Sequence, residues 1–191
     1  MSTQPIPRLT VEQYLEIERA AEFRSEYLNG EVYAMAGGAV NHALIALDAA
    51  ALLLNQLRGR PCTVAGSDLR LFCESYNMLT YPDVVVFCHP RRFLDGRKDT
   101  LTDATVIIEV LSGSTQNYNR GEKFRFYRGL PSFSEYVLLA QDALRAEHYV
   151  RQPDASWLLR ELHGPDAEIG LESIGCRLKL ADLYERVEFE Q

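Results

Sequence analysis

The spacing of apolar residues changes period repeatedly along the chain, and each change predicts an element. Thr10-Val11-Glu12-Gln13 has capping-box form and opens a short helix through about Ala20. In "SEYLNGEVYAM" two apolar-rich arms flank Asn29-Gly30, the pattern of a hairpin closed by a type I′ turn. A long helix follows from about Asn41 to Arg58, stopped by Gly59 and Pro61. Short runs predict strands near 62–65, 68–73, 83–88 and 105–111. A second helix spans about Tyr118 to Arg128, with Gly129 and Pro131 at its end. "SEYVLLA" predicts another strand, "RAEHYVR" and "SWLLREL" a closing antiparallel pair, and "LADLYERV" a short C-terminal helix. This order implies α/β or α+β, with a mixed central sheet flanked by helices. No repeat, low-complexity tract or linker divides the chain, so one domain over 1–191 is expected.

One position breaks the pattern. In "TVIIEVLSGST", Glu109 sits among Val106, Ile107, Ile108, Val110 and Leu111. Apolar residues on both faces of so short a run predict a strand covered on both sides. An ionised carboxylate there needs partners or a shifted pKa.

Composition narrows the function classes. No apolar run reaches the ~18 residues of a membrane span, and "ALIALDAAALLL" is interrupted by Asp48. "MSTQPIPRLT" lacks a signal-peptide apolar core, so a cytoplasmic location is the default. Cys62, Cys73, Cys88 and Cys176 form no CxxC pair, and buried reduced thiols are expected over zinc ligands or disulfides. The four histidines have no ligand spacing either. The net charge of −7 is unevenly spread: "RRFLDGRK" (91–98) and "NRGEKFRFYR" (119–128) each carry four bases against one acid. Those segments either line an anion-binding face or are two solvated surfaces.

Glu109 has a candidate partner in Asp83 of "YPDVVVF", the last polar position before Val84–Phe87. If their strands are neighbours, the two carboxylates converge at one end and repel unless a proton or cation lies between them. Oxygen-only ligands favour a hard ion such as Mg²⁺. The bland alternative is an Asp that caps a loop and a Glu neutralised by a basic neighbour. On the second helix, Lys123, Phe126, Tyr127 and Leu130 share one stripe, so Lys123 opens a face predicted to meet the sheet. The alternative for Lys123 is snorkelling to water.

Together these pieces resemble the PD-(D/E)XK nuclease superfamily, and within it the bacterial Uma-two family of restriction-endonuclease-like proteins. The resemblance rests on "SEYLNGEVYAMAGG", "NH" at 41–42, "SDLRL", "TYPDVVVF", "EVLSGST", "RGEKFRFYR", "EYVLLAQD" and "IGCRLKLADLY", in that order from about Leu9 to Val187. It implies a restriction-endonuclease-like α/β fold, with an N-terminal helix and hairpin and a core of about 9–187. It implies Mg²⁺-dependent (or Mn²⁺-dependent) hydrolysis of nucleic-acid phosphodiesters. Asp83 and Glu109 match the metal-binding acids, and the Val110 carbonyl would be a third ligand. Leu111 stands where the superfamily pattern has lysine, and Lys123 is the migrated replacement. Glu26 matches the family's additional acid. Two positions depart from the pattern: Asn119 replaces an Asp before "RGEK", and Gly113 replaces a Pro.

The expected partner is therefore nucleic acid, with DNA ahead of RNA, no membrane, and a homodimer kept open. Tyr127 either packs in the core or touches a phosphate, and His42 either approaches the site or is a helix-end structural histidine. The rival reading is a nuclease-fold protein with weak or no catalysis that acts as a nucleic-acid or protein interaction module. A hydrolase of another phosphoester would share the same chemistry.

Overall fold

A computed structural model describes residues 8–35, 37–113 and 115–189. Helix α1 (Val11–Ala20) starts at the anticipated cap, with Thr10 and Gln13 exchanging both capping-box hydrogen bonds. Strands β1 (Ser25–Leu28) and β2 (Glu31–Ala34) form the hairpin. Its turn places Asn29 and Gly30 at φ 47° and 97°, as a type I′ turn requires. Any side chain at position 30 would also collide with Arg8. Helix α2 (Val40–Gln56) then buries Ile45, Ala49 and Leu53, four residues apart on one helical face.

The remaining strands divide between two larger sheets and a small ribbon. After β3 (Cys62–Gly66), β4 (Arg70–Cys73), β5 (Met78–Thr80), β6 (Val84–Cys88), β7 (Thr100–Leu101) and β8 (Val106–Leu111) come β9 (Glu135–Ala140), β10 (Arg145–Arg151) and β11 (Trp157–His163). The central sheet has the order β11-β10-β9-β8-β6-β3 and is mixed, because β8 and β9 run parallel. The second sheet has the order β2-β1-β5-β4-β7. Strands β12 (Glu168–Leu171) and β13 (Cys176–Lys179) pair separately and lead into a short last helix at Leu180–Leu183.

Strand β8 is buried along its whole length, as its apolar run predicts. Its side chains alternate between two cores. Val106, Ile108 and Val110 pack with α2, β13 and the C-terminal helix. Ile107 and Leu111 pack with Phe124, Phe126 and Tyr127 on the opposite face. Glu109 has the parity of this second group. A parallel β8–β9 pair needs a crossover, and residues 116–127 supply it as a helical segment over this face. The crossover is not one regular helix. Gln116–Tyr118 and Phe124–Tyr127 are α-helical, and Asn119–Lys123 between them form a π-turn.

The cysteine expectation is corrected in part. Cys62 and Cys88 form a disulfide, because the antiparallel register of β3 and β6 sets them directly opposite each other. Their wide sequence spacing gave no hint of that pairing. Cys73 and Cys176 are buried free thiols, as expected. Among the described residues no helix is long and apolar enough to cross a membrane.

Candidate active site

The predicted acids meet at the seam between the two larger sheets. The chain leaves the second sheet at Thr80 and enters the central sheet at Val84, with Pro82-Asp83 at the crossing. Antiparallel register sets Val84 opposite Ile108, which brings Asp83 level with the end of β8 that carries Glu109. Asp83 Oδ2 accepts the Val110 N–H at 2.8 Å and the His42 Nε2–H at 3.2 Å, so α2 is tied to the same carboxylate. From the second sheet, β1 contributes Glu26. β1 pairs with β5 through Tyr27 and Leu79, and Thr80 donates to Glu26 Oε1.

Lys123 joins the two sheets. Its Nζ lies 3.0 Å from Glu109 Oε1 and 3.1 Å from Glu26 Oε1, and the residue is 6% exposed. It does not snorkel. Tyr127, one turn further on, donates to the same Glu109 oxygen at 2.6 Å. Tyr127 is thus both a core residue, as its spacing predicts, and a partner of the buried acid. The π-turn places Asn119 and Lys123 on the buried side together. Turns of this kind recur at functional sites. Asn119 lines the cavity without adding charge, and its carbonyl accepts the Tyr136 hydroxyl at 3.2 Å.

The electrostatics follow from burial. Glu109 is 3% exposed, and desolvation pushes its carboxyl up to about 7. Lys123 and Tyr127 oppose that rise, while Asp83 adds to it. For Lys123, burial works against the charge, but Glu109, Glu26 and Asp83 outweigh it and hold the amine above its ordinary range. The Asp83 hydrogen bond raises His42 against the effect of burial.

These residues line a cavity of about 370 Å³, together with Tyr33, Tyr118 and Gln141. It holds three carboxylates against Lys123 and His42. Among the described residues, Asp83 Oδ1 and Glu109 Oε2 accept no hydrogen bond, and no cluster of three or more His, Cys, Asp or Glu side chains is arranged to hold a metal. Two carboxylates and the neighbouring Val110 carbonyl are nonetheless a donor set that suits Mg²⁺, an ion that keeps most of its waters and takes one or two protein carboxylates. The donor chemistry fits the ion.

Gln141 was not anticipated. Its Oε1 is buried without a partner among the described residues, and it follows β9 at the carboxyl end of the parallel strand pair. The available signal was its place as the first polar residue after "EYVLLA". In the two basic segments some of the bases are already paired within the fold. Arg120 is paired with Glu147 at 2.7 Å and Arg125 with Glu122 at 3.5 Å, while Lys123 serves the buried acids. No residue of 91–98 lines the cavity. Arg91 reaches Thr63 and lies over the Phe87 ring.

Comparison with known proteins shows a family and a fold. The model of the Uma2 family, described as "Putative restriction endonuclease", matches residues 11–181. Two uncharacterized proteins of Synechocystis sp. are similar. The protein slr1290 is 35% identical over 97% of this chain and 96% of its own length, and sll1609 is 37% identical over 84% and 91%. Among solved structures, a crystal structure from Anabaena variabilis, described as "a putative nuclease belonging to DUF820", superposes with a TM-score of 0.77. That match covers 94% of this chain and 99% of the other at 18% identity, so it speaks for the fold.

Proposed function

The chain belongs to the Uma2 family, and from that premise we propose that it is a metal-dependent nuclease that hydrolyses nucleic-acid phosphodiesters at the Asp83–Glu109–Lys123 site. The observation that carries this reading is the convergence of Asp83, Glu109 and Lys123 in one cavity from three separate elements. Asp83, Glu109 and the Val110 carbonyl would hold Mg²⁺ or Mn²⁺. Such an ion supplies Lewis-acid polarisation of a phosphoryl oxygen and a more acidic water.

The chain's own residues supply the rest. Val110 N–H and His42 both bind Oδ2 of Asp83, which fixes the carboxylate and leaves Oδ1 without a hydrogen bond among the described residues. Lys123 and Tyr127 both bind Oε1 of Glu109 and leave Oε2 likewise without one. Lys123, held cationic by its acids, stabilises charge that develops on the phosphoryl group. Glu26 gives Lys123 a second carboxylate partner, which helps to keep the amine at the site.

A cleavage assay with Mg²⁺ or Mn²⁺, across single- and double-stranded DNA and RNA, tests this reading with Asp83→Ala as control. Metal-dependent cleavage that the variant lacks is the expected result. Absence of cleavage with every metal and substrate favours the interaction-module reading.

A further inference from the structure

The cavity continues past Asp83. A second hollow of about 650 Å³ shares Met35, Gly37, Gly38, His42 and Asp83 with the first, so the two adjoin along a groove whose wall carries Asp83 in both. Each hollow is within the ~300–1,000 Å³ range of small-molecule sites, the scale of a nucleotide and not of a double helix. An exposed aromatic ring stands on each side of Asp83. Phe23, 82% exposed, lines the second hollow, and Tyr33, 49% exposed, lines the first.

The charges in this groove are unsuited to a duplex. Among the described lining residues the cations are Lys123, His42 and Arg24. Each already faces an acid: Lys123 meets Glu26 and Glu109, His42 meets Asp83, and Arg24 lies 3.1 Å from Asp68. Glu22 adds a further carboxylate. Proteins that hold a duplex neutralise a row of phosphates, commonly ~6–10 of them. Among the described residues this groove has no free cation for a second or third phosphate. Single strands also draw on basic residues, but their unpaired bases can stack on aromatic rings for about 1–3 kcal/mol each, which the paired bases of a duplex cannot.

Resting on the phosphodiester reading above, we infer that the substrate is a single strand threaded along this groove, with one base stacked on Phe23 and another beside Tyr33, and its scissile phosphate at Asp83. Duplex nucleic acid is excluded until a strand is freed.

Fluorescence anisotropy tests this with labelled oligothymidylate, oligouridylate and a hairpin duplex, in Ca²⁺, against the intact chain and three Phe23 variants. Because Phe23 is exposed, Phe23→Ala leaves the fold intact. Single strands should bind more tightly than the duplex. Phe23→Ala should weaken them by about 5- to 150-fold, the range for loss of one stacked base. Phe23→Trp should bind at least as well as wild type, and Phe23→Leu should behave like Phe23→Ala, which separates stacking from simple apolar contact. The dependence on salt should be shallow, at about −0.7 in log–log slope per phosphate neutralised. Comparison of the DNA and RNA strands shows which sugar the groove accepts. Equal or tighter duplex binding, no measurable single-strand binding, or indifference to Phe23→Ala overturns the inference. The same substrates incubated with Mn²⁺ keep the two readings apart. Phe23-dependent binding without cleavage sinks the nuclease and leaves the strand preference standing. Duplex cleavage indifferent to Phe23 does the reverse.

Discussion

Lys123 Nζ and Glu109 Oε1 lie 3.0 Å apart in a part of the molecule almost closed to water. The lysine also binds Glu26, so one cation compensates two carboxylates. Lys123→Met removes that charge and leaves buried Glu109 and half-buried Glu26 without it. Breaking a buried ion pair costs ~3–5 kcal/mol. Here the loss should be largest above neutral pH and shrink in acid, where Glu109 takes up a proton. Chemical denaturation at about pH 8 and about pH 5 reads the difference. At a temperature where the variant is folded, turnover should fall by ~10²–10³-fold, as for loss of one electrostatic stabiliser. Undiminished turnover would assign the role to another residue.

Asp83 carries two duties that substitutions can separate. Its Oδ2 satisfies the Val110 N–H, so Asp83→Ala leaves that amide without its side-chain acceptor. An unsatisfied buried group costs ~1–3 kcal/mol. Asp83→Asn keeps an acceptor and removes the charge. Both variants should lose Mn²⁺ binding by calorimetry, but only Asp83→Ala should lose stability. Equal metal affinity in wild type and Asp83→Asn would reject Asp83 as a ligand.

Glu109 predicts a pH dependence for metal binding. Its carboxyl is raised by burial from 4.5 to about 7, so the folded protein holds a proton that the unfolded chain has already lost between those values. The stabilising contribution of the protonated acid is complete below about 4.5 and disappears as pH rises through about 7. A cation needs the ionised form, so binding should strengthen from about pH 6 to about pH 8 with release of a proton at the lower end. Calorimetry in buffers of different ionisation enthalpy counts that proton. An affinity flat across this interval contradicts the assignment.

At the other end of β9, Glu135 and His148 form a buried pair at 2.6 Å, and Glu135 also accepts the Ser173 N–H. Although burial pushes upward, these hydrogen bonds hold the Glu135 carboxyl below its usual range. Its contribution to stability is therefore present above about 4.5 and lost in acid. His148→Ala should cost ~3–5 kcal/mol, since it strands a buried carboxylate. Mn²⁺ affinity should not change, because Glu135 pairs with Val106, at the end of the strands away from Glu109. A parallel loss of both properties would mean that the two ends of the sheet are coupled.

Much of this protein was legible along the chain, because local rules decide local features. The capping box at Thr10, the Asn29-Gly30 turn, the buried strand through Glu109 and the inward stripe of Lys123, Phe126, Tyr127 and Leu130 each follow from residues a few positions apart. Short strands such as Met78–Thr80 and Thr100–Leu101 gave too few residues for a period to show. What depends on register was out of reach. The Cys62–Cys88 bridge exists because two strands align with no offset, and one residue of slip would separate the thiols. The π-turn at Asn119–Lys123, the second hold of Lys123 by Glu26, and the groove between Phe23 and Tyr33 all arise where two sheets and two helices meet. Sequence determined which residues needed partners, since a buried charge cannot stand alone. Only the tertiary structure decided which partners they received, because that is set by distances between segments far apart in the chain.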